Sequence, residues 1–217
     1  MSYATLFIQG GYKMLEVRNY DEPIYDDHTK VIKEIIDGKI YYMSGGTSLH
    51  EMIIRRLRDE FIKYFIKIGD EKCIVYTEGL DIYLDPKNKK NYVEPDISII
   101  CDESKFFKNG YKGEPELIVE VASRDTRARD RGIKYRSYAE YGVKEYWLIE
   151  PKFKSIEQYI LDNGVYIFRT MVTLFDKDEL TEDETKIKST TFEGLDIDLN
   201  KIFKKGDEAF LSIGFDD

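Results

Sequence analysis

Two carboxylates stand out in the sequence because of the segments around them. Asp96 follows Glu94-Pro95 at the start of an apolar run, and Glu120 lies between Val119 and Val121 inside an otherwise apolar strand. An ionised glutamate in such a strand costs several kcal/mol unless it is paired or binds a metal. If the two strands are neighbours in one sheet, the carboxylates converge. Two hard oxygen ligands of this kind suit Mg²⁺, with Mn²⁺ as a substitute.

A lysine on the following helix is the third candidate. It belongs to a stripe at helical spacing, formed by Arg127, Asp130, Lys134, Tyr138 and Tyr141. The Lys134 ammonium could stabilise negative charge that develops on a phosphate, or orient a water molecule. Each candidate also has a purely structural explanation: Glu120 could pair with a buried arginine, Asp96 could simply begin a strand, and Lys134 could be solvated. The arrangement of all three favours chemistry.

Hydrophobic periodicity and turn signals predict the elements that position these residues. The predicted strands lie at residues 73–76, 80–84, 96–100, 116–122 and 145–150, with hairpins over 33–43 and 155–172. Helices are predicted over residues 48–68 and 127–141. Asp37-Gly38 is a two-residue turn signal, Ser48 and Glu51 fit a capping box, and Gly69 ends the first helix. This order predicts a mixed α/β fold with one central sheet.

Composition limits the class of protein. The chain has 217 residues, of which 42% are hydrophobic and 35% are charged, which excludes a disordered tail and fits a soluble domain. No apolar run approaches the roughly 20 residues of a membrane span, and the N-terminus lacks a signal-peptide pattern. Cys73 and Cys101 lie in apolar runs and are interpreted as buried thiols rather than a disulfide. A reducing, cytoplasmic location is therefore expected.

The charge is unevenly distributed along the chain. There are 33 basic and 42 acidic residues, which gives a net charge of −9. Residues 176–217 contain 13 acidic residues and 6 lysines, whereas residues 124–136 contain six basic residues and two acidic ones. The local basic segment is compatible with a nucleic-acid substrate, although such segments are more often solvated faces. The net charge argues against tight binding, so weak and salt-sensitive DNA affinity is expected.

Four segments taken together resemble one nuclease family. These segments are Pro95-Asp96, Glu120-Val121-Ala122-Ser123, Asp130-Arg131-Gly132-Ile133-Lys134, and Tyr138 with residues 142–151. They are similar to the Uma family of restriction endonucleases, which belongs to the PD-(D/E)XK nuclease superfamily. The resemblance covers residues 30–175.

The resemblance implies a restriction-endonuclease-like core, with a central mixed β-sheet flanked by helices and additional β-hairpins. It also implies a Mg²⁺-dependent endonuclease that hydrolyses DNA phosphodiester bonds, with Asp96, Glu120 and Lys134 as catalytic residues. The lysine expected two residues after Glu120 is absent because Ala122 stands there, and Lys134 of the next helix matches its position. Asp96 and Glu120 would hold the metal with the backbone carbonyl of Val121.

Several further residues are weaker candidates. Glu34 could add a carboxylate to the metal site or could be a surface strand residue. His50 lies in the first turn of a helix, where the helix dipole lowers an imidazole's pKa and favours the neutral form. It could orient a water or a phosphate, or make a structural hydrogen bond. Asp130 is a supporting candidate, and Arg127 and Arg131 are candidate phosphate contacts.

The predicted organisation has three parts. Residues 1–29 form an N-terminal arm, residues 30–175 the nuclease-like domain, and residues 176–217 an acidic C-terminal extension packed on the same domain. A homodimer is expected by analogy, because two sites are needed to cut both strands in one encounter. The alternative is a non-catalytic binding or accessory module that keeps the nuclease fold. Hydrolysis of another phosphate ester also stays open.

Overall fold

The computed structural model describes residues 2–8, 11–17, 32–43, 46–85, 87, 91–174 and 180–207. The chain divides into two units, residues 1–31 and residues 32–217. In the first unit, β1 (Ser2–Ile8) pairs antiparallel with β2 (Gly11–Val17). The other residues of the predicted arm lie outside the described residues.

The second unit begins with the predicted hairpin and the first long helix. β3 (Ile32–Ile36) pairs with β4 (Lys39–Met43). Asp37 and Gly38 both have a positive φ, as a tight two-residue turn requires. Helix α1 (Ser48–Ile68) ends at Gly69, which is left-handed with a φ of 69°.

The N-cap of α1 differs by one residue from the prediction. The hydroxyl of Thr47 accepts a hydrogen bond from the backbone N–H of His50 at 3.3 Å, and Thr47 has an extended backbone. Ser48, the predicted cap, already has a helical conformation. Both residues can cap a helix, so the sequence alone did not distinguish them.

A six-stranded mixed sheet forms the centre of this unit. Its strands are β5 (Ile74–Thr77), β7 (Ile97–Ile100), β10 (Leu117–Val121), β11 (Glu145–Glu150), β12 (Ser155–Asp162) and β13 (Val165–Thr173). They lie in the order β13-β12-β11-β10-β7-β5. Only β10 and β11 are parallel neighbours among these described strands; the other pairs are antiparallel. The predicted α/β fold with a central mixed sheet is confirmed.

The two central strands are buried on both faces, as their apolar sequences predict. Every residue of β10 and β11 is buried. Leu117, Val119 and Val121 pack in the same core as α1, whereas Ile118 and Ala122 belong to the core on the opposite face. Glu120 alternates with the second set and therefore faces away from α1.

A helical segment of three parts covers that opposite face. It consists of α2 (Arg127–Arg129), a π-helical turn (Asp130–Lys134) and α3 (Tyr135–Glu140), and it ends before Gly142. The predicted helix over residues 127–141 is therefore present, but with a π turn that the sequence pattern did not predict. Such turns recur at functional sites.

The two cysteines form a disulfide, so the interpretation as free thiols was wrong. Cys73 is bonded to Cys101, with 4.0 Å between the Cα atoms. The antiparallel register of β5 and β7 pairs Ile74 with Ile100, which brings the cysteines opposite each other at the ends of these strands. This register was not readable from the sequence. The expectation of a reducing location rested on free thiols, so the disulfide removes that argument.

The remaining elements are short. β6 (Ile82–Tyr83), β8 (Phe106–Phe107) and β9 (Gly110–Lys112) make a small sheet. Near the C-terminus, β14 (Lys186–Lys188) pairs with β15 (Asp196–Asp198), which leads into α4 (Leu199–Ile202). Ile187, Ile197 and Leu199 join the core on the α1 face. Among the described residues, no helix combines the length and apolar character needed to cross a membrane.

A buried glutamate attaches the C-terminal segment to the sheet. Oε1 of Glu145 accepts hydrogen bonds from Trp147 Nε1 and Gln158 Nε2, both at 2.6 Å. Oε2 accepts from Ser189 Oγ and the Thr191 backbone N–H, both at 2.8 Å, and from the backbone N–H of the intervening residue at 3.1 Å. Both oxygens are therefore saturated by neutral donors.

Candidate active site

The sheet register brings Asp96 opposite Glu120. Antiparallel pairing of β10 with β7 aligns Val119 with Ile97, so the next position along each strand is Glu120 and Asp96. Oδ2 of Asp96 accepts a hydrogen bond from the backbone N–H of Val121 at 2.6 Å. Asp96 and Glu120 are therefore neighbours across the pair of strands β7 and β10.

Glu120 is held by a lysine and a tyrosine on the helical segment. Its Oε1 lies 2.7 Å from Nζ of Lys134 and accepts a hydrogen bond from the Tyr138 hydroxyl at 2.5 Å. Only 3% of Glu120 is exposed. Burial raises its pKa well above the usual range; Lys134 opposes this effect, while Asp96 and Asp130 add to it.

Lys134 is a buried cation between carboxylates. It is 1% exposed, and its Nζ lies 2.8 Å from Oε1 of Glu34 and 3.9 Å from Oδ1 of Asp130, besides its contact with Glu120. Burial alone would lower the pKa of the Lys134 ammonium, but the three carboxylates outweigh burial and raise it. Lys134 is therefore charged and is not a solvated surface lysine.

Glu34 and Asp130 complete the buried cluster. Glu34 is fully buried, which contradicts the surface alternative, and its Oε1 also accepts the backbone N–H of Glu94 at 3.0 Å. The side chain of Asp130 lies within the π turn and is also buried, and neither of its carboxylate oxygens has a hydrogen-bond partner among the described residues. Burial raises the pKa of Asp130 despite the nearby Lys134.

His50 contacts the other side of Asp96. Its Nε2 lies 3.2 Å from Oδ2 of Asp96, and its Nδ1 lies 3.7 Å from Glu51 and 3.9 Å from Glu78. Burial lowers the imidazole pKa, but the hydrogen bond and charge of Asp96, with the two glutamates, raise it to about 9. The expectation of a lowered pKa was wrong, because Asp96 and the two glutamates together outweigh the effect of burial.

His50 also belongs to a possible metal-ligand group. His50, Glu51 and Glu78 offer ligand atoms within 4.8 Å of one another, the one such group of three found in the described part of the chain.

The two candidate phosphate contacts are already paired with glutamates. Arg127 lies against Glu150, with Nε–Oε1 and Nη2–Oε2 distances of 3.0 and 2.8 Å. Arg131 makes two hydrogen bonds to Glu157, at 2.8 and 2.7 Å. Both arginines remain more than a third exposed at their side chains, so they can still be reached from solvent.

Three contacts of the cluster were not predicted as functional. Tyr138 was assigned to the helical stripe, and its position four residues after Lys134 was the available signal for its contact with Glu120. Arg129 lies 3.8 Å from Glu34, and Glu78 lies near His50. The sequence offers no local signal for either, since each pair is far apart along the chain.

Comparison with a solved structure identifies the class of fold. A crystal structure from Anabaena variabilis, described as "a putative nuclease belonging to DUF820", is similar to this chain with a TM-score of 0.59 and 18% identity. The match covers 81% of this chain and 91% of that one. The fold is therefore the one found in that nuclease structure.

The sequence defines the family. Residues 17–200 match Uma2, described as "Putative restriction endonuclease", and the chain belongs to this family. An uncharacterized protein of Synechocystis sp. is 33% identical over 136 residues, which are 62% of this chain and 69% of that protein. A second one from the same organism is 26% identical over 129 residues, 58% of this chain and 70% of that protein. The resemblance seen in the motifs is confirmed, and family membership supports a nuclease role.

Proposed function

We propose that the protein is a metal-dependent endonuclease that hydrolyses DNA phosphodiester bonds at the cluster of Asp96, Glu120 and Lys134. The observation that carries this proposal is the fully buried ammonium of Lys134, which contacts Glu120 directly opposite Asp96 in the sheet. Burying four ionisable groups together costs stability, and groups in such perturbing surroundings cluster at functional sites.

The free oxygens of the two strand carboxylates fit a divalent cation. The hydrogen bonds of Asp96 all go to Oδ2, and those of Glu120 all go to Oε1. Within the described residues, Asp96 Oδ1 and Glu120 Oε2 accept no hydrogen bond, so both remain available as hard oxygen ligands. Asp96, Glu120 and the carbonyl of Val121 would hold Mg²⁺, or Mn²⁺ in its place.

The residues around these ligands have distinct tasks. When bound, the metal would lower the pKa of a water molecule and polarise the scissile phosphate. Lys134 would stabilise the negative charge that develops on the phosphate. Tyr138 fixes the orientation of Glu120, and His50 fixes that of Asp96 by binding Oδ2. These contacts leave the other oxygen of each carboxylate unengaged.

DNA binding should be weak and sensitive to salt. Arg127 and Arg131 would contact phosphates, but Glu150 and Glu157 already neutralise much of their charge. The net charge of −9 opposes non-specific attraction to DNA. Titration of a labelled duplex at several salt concentrations tests this, and tight binding that persists at high salt would contradict it.

Cleavage assays test the proposed function. The full chain is incubated with supercoiled plasmid and oligonucleotides in Mg²⁺ or Mn²⁺, beside Asp96→Asn, Lys134→Ala and the exposed-lysine control Lys144→Ala. We expect wild type and the control to cleave and the two site variants to lose activity. Equal cleavage by wild type and Lys134→Ala would refute the site assignment.

Metal binding separates an enzyme from a non-catalytic module. Calorimetry with Mn²⁺ should show binding to wild type that is lost in Glu120→Gln. If no binding depends on Glu120 and no DNA is cut, the chain acts instead as a binding module with a nuclease fold.

A homodimer is part of the same proposal, because two sites can cut both strands of a duplex in one encounter. Size-exclusion chromatography with light scattering tests it, and a monomer at working concentration would count against it.

A further inference from the structure

Glu34 connects three parts of the cluster through one carboxylate. It lies on β3, and its Oε1 accepts the backbone N–H of Glu94 at 3.0 Å while lying 2.8 Å from Nζ of Lys134. The next residue on the strand, Ile35, exchanges two backbone hydrogen bonds with Tyr92, at 3.0 and 2.8 Å. A single side chain therefore ties the hairpin to the segment that leads into Asp96 and to the helix that carries Lys134.

We propose that Glu34 is a positioning residue that fixes the ammonium of Lys134 beside Glu120, and that it does not bind the metal. The proposal rests on the endonuclease function given above and assigns one more part in it. Glu34 would act through Lys134 without touching the substrate or the reacting atoms.

The surroundings of both Glu34 oxygens support this role. Oε1 already binds two donors, the Glu94 N–H and the Lys134 ammonium. Oε2 accepts no hydrogen bond from the described residues, but it lies 3.8 Å from Nε of Arg129, a guanidinium whose side chain is 11% exposed. A divalent cation at Glu34 would have to approach between two positive side chains, and their repulsion disfavours such a ligand.

Without Glu34, the structure gives Lys134 few alternatives. Its other contacts are Glu120, at 2.7 Å, and Asp130, at 3.9 Å. Among the described residues, the ammonium would then keep only one close carboxylate, Glu120, and the more distant Asp130, so it would be held from fewer sides. Since misplacing a catalytic group by about 1 Å costs on the order of 10²-fold in rate, fixing this ammonium has a measurable value.

The test is a double-mutant cycle of Glu34→Gln with Lys134→Met, with cleavage rate and Mn²⁺ affinity as readouts. Glu34→Gln keeps the size of the side chain and an oxygen acceptor. Glu145→Gln is the matched control. Glu145 is equally buried, but its carboxylate binds the C-terminal residues Ser189 and Thr191 instead of Lys134. We expect Glu34→Gln to lower kcat by on the order of 10²-fold, and the control to leave kcat unchanged.

The Lys134→Met background separates positioning from metal binding. There, adding Glu34→Gln should change neither the residual rate nor the Mn²⁺ affinity, because Glu34 has lost the group that it positions. A drop in Mn²⁺ affinity in that background would show that Glu34 is a ligand and overturn the proposal. Additive rate losses would also overturn it, since they indicate a role independent of Lys134.

The cycle remains informative if the proposed function fails. If wild type cuts no DNA, the endonuclease proposal is refuted by that result alone. The same four proteins then give a coupling free energy from urea unfolding, which requires neither metal nor DNA. No coupling between Glu34 and Lys134 would refute the positioning contact itself.

Discussion

Two buried glutamates on neighbouring parallel strands have opposite surroundings. Glu120 lies on β10 and Glu145 on β11, and they face opposite sides of the sheet. Six neutral donors bind Glu145 and occupy both of its oxygens. Glu120 contacts one ammonium and one phenol through a single oxygen. Incomplete hydrogen bonding thus distinguishes Glu120, the proposed metal ligand, from Glu145.

The sharpest test of this difference is the same substitution at both positions. At the site, Glu120→Gln should lower the cleavage rate by about 10³-fold or more, because a metal ligand and its charge are lost. The metal-free protein should unfold at nearly the same urea concentration, since glutamine can still accept from Lys134 and Tyr138. A large loss of stability without loss of cleavage would reverse the roles assigned to the two glutamates.

At the other position, Glu145→Gln should destabilise the protein but leave its cleavage activity unchanged. The new amide group must face either the donors on Oε1 or those on Oε2, which leaves buried donors unpaired. We expect the free energy of unfolding to fall by about 2–3 kcal/mol, as measured by urea denaturation. Cleavage per folded molecule should equal that of wild type. A lower rate would mean that the contacts between Glu145 and residues 189–191 affect the proposed active site.

A smaller change tests how much each C-terminal donor contributes to the hydrogen bonding of Glu145. Ser189 donates to Glu145 and its hydroxyl accepts the N–H groups of Thr191 and Phe192. Ser189→Ala should cost about 1 kcal/mol of unfolding free energy, because five other donors to Glu145 remain. Thermal unfolding measures this loss of stability. A loss as large as that of Glu145→Gln would show that Ser189 also positions the other donors to Glu145.

The smallest effect is expected at a partly exposed ion pair. Burial raises the pKa of Glu157, but hydrogen bonds from Arg131 and Tyr159 lower it by more. The pKa of Glu157 therefore lies below its usual range. A lowered pKa stabilises the fold above the unfolded-state pKa, and this contribution is lost as the pH falls through the folded-state value.

Glu157→Gln should therefore cost less than about 1 kcal/mol at neutral pH and flatten the loss of stability on acidification. Urea denaturation from pH 7 down to acid gives both values. An unchanged pH profile in the variant would show that the Arg131 contact does not stabilise the fold.

The sequence predicted the strands of the sheet but not how they align. Alternation in residues 116–122 correctly separated Ile118 and Ala122 from Val119 and Val121. Whether Asp96 lies opposite Glu120 depends on a register fixed by tertiary packing, as does the pairing of Cys73 with Cys101. Strand identity is local information, whereas register is not.

Candidate residues were found where their chemistry conflicted with local structure. Glu120 was identified because a charge interrupts an apolar strand. Glu145 has a similar apolar context, yet its partners Ser189 and Thr191 lie more than 40 residues away, so its structural role could not be derived. The raised pKa of His50 likewise depends on Asp96 and, to a smaller extent, on Glu78, both of which lie on other parts of the chain.

The π turn has a consequence for how the site tolerates changes in chain length. In a regular α-helix, residues eight positions apart are offset by about 80° around the axis. The wider turn behaves as a one-residue insertion in this segment, and Asp130, Lys134 and Tyr138 are all buried there. Deleting Gly132 would shorten the stretch between Asp130 and Lys134 by one residue and turn Asp130 out of phase with Lys134 and Tyr138, whose own spacing of four residues would not change.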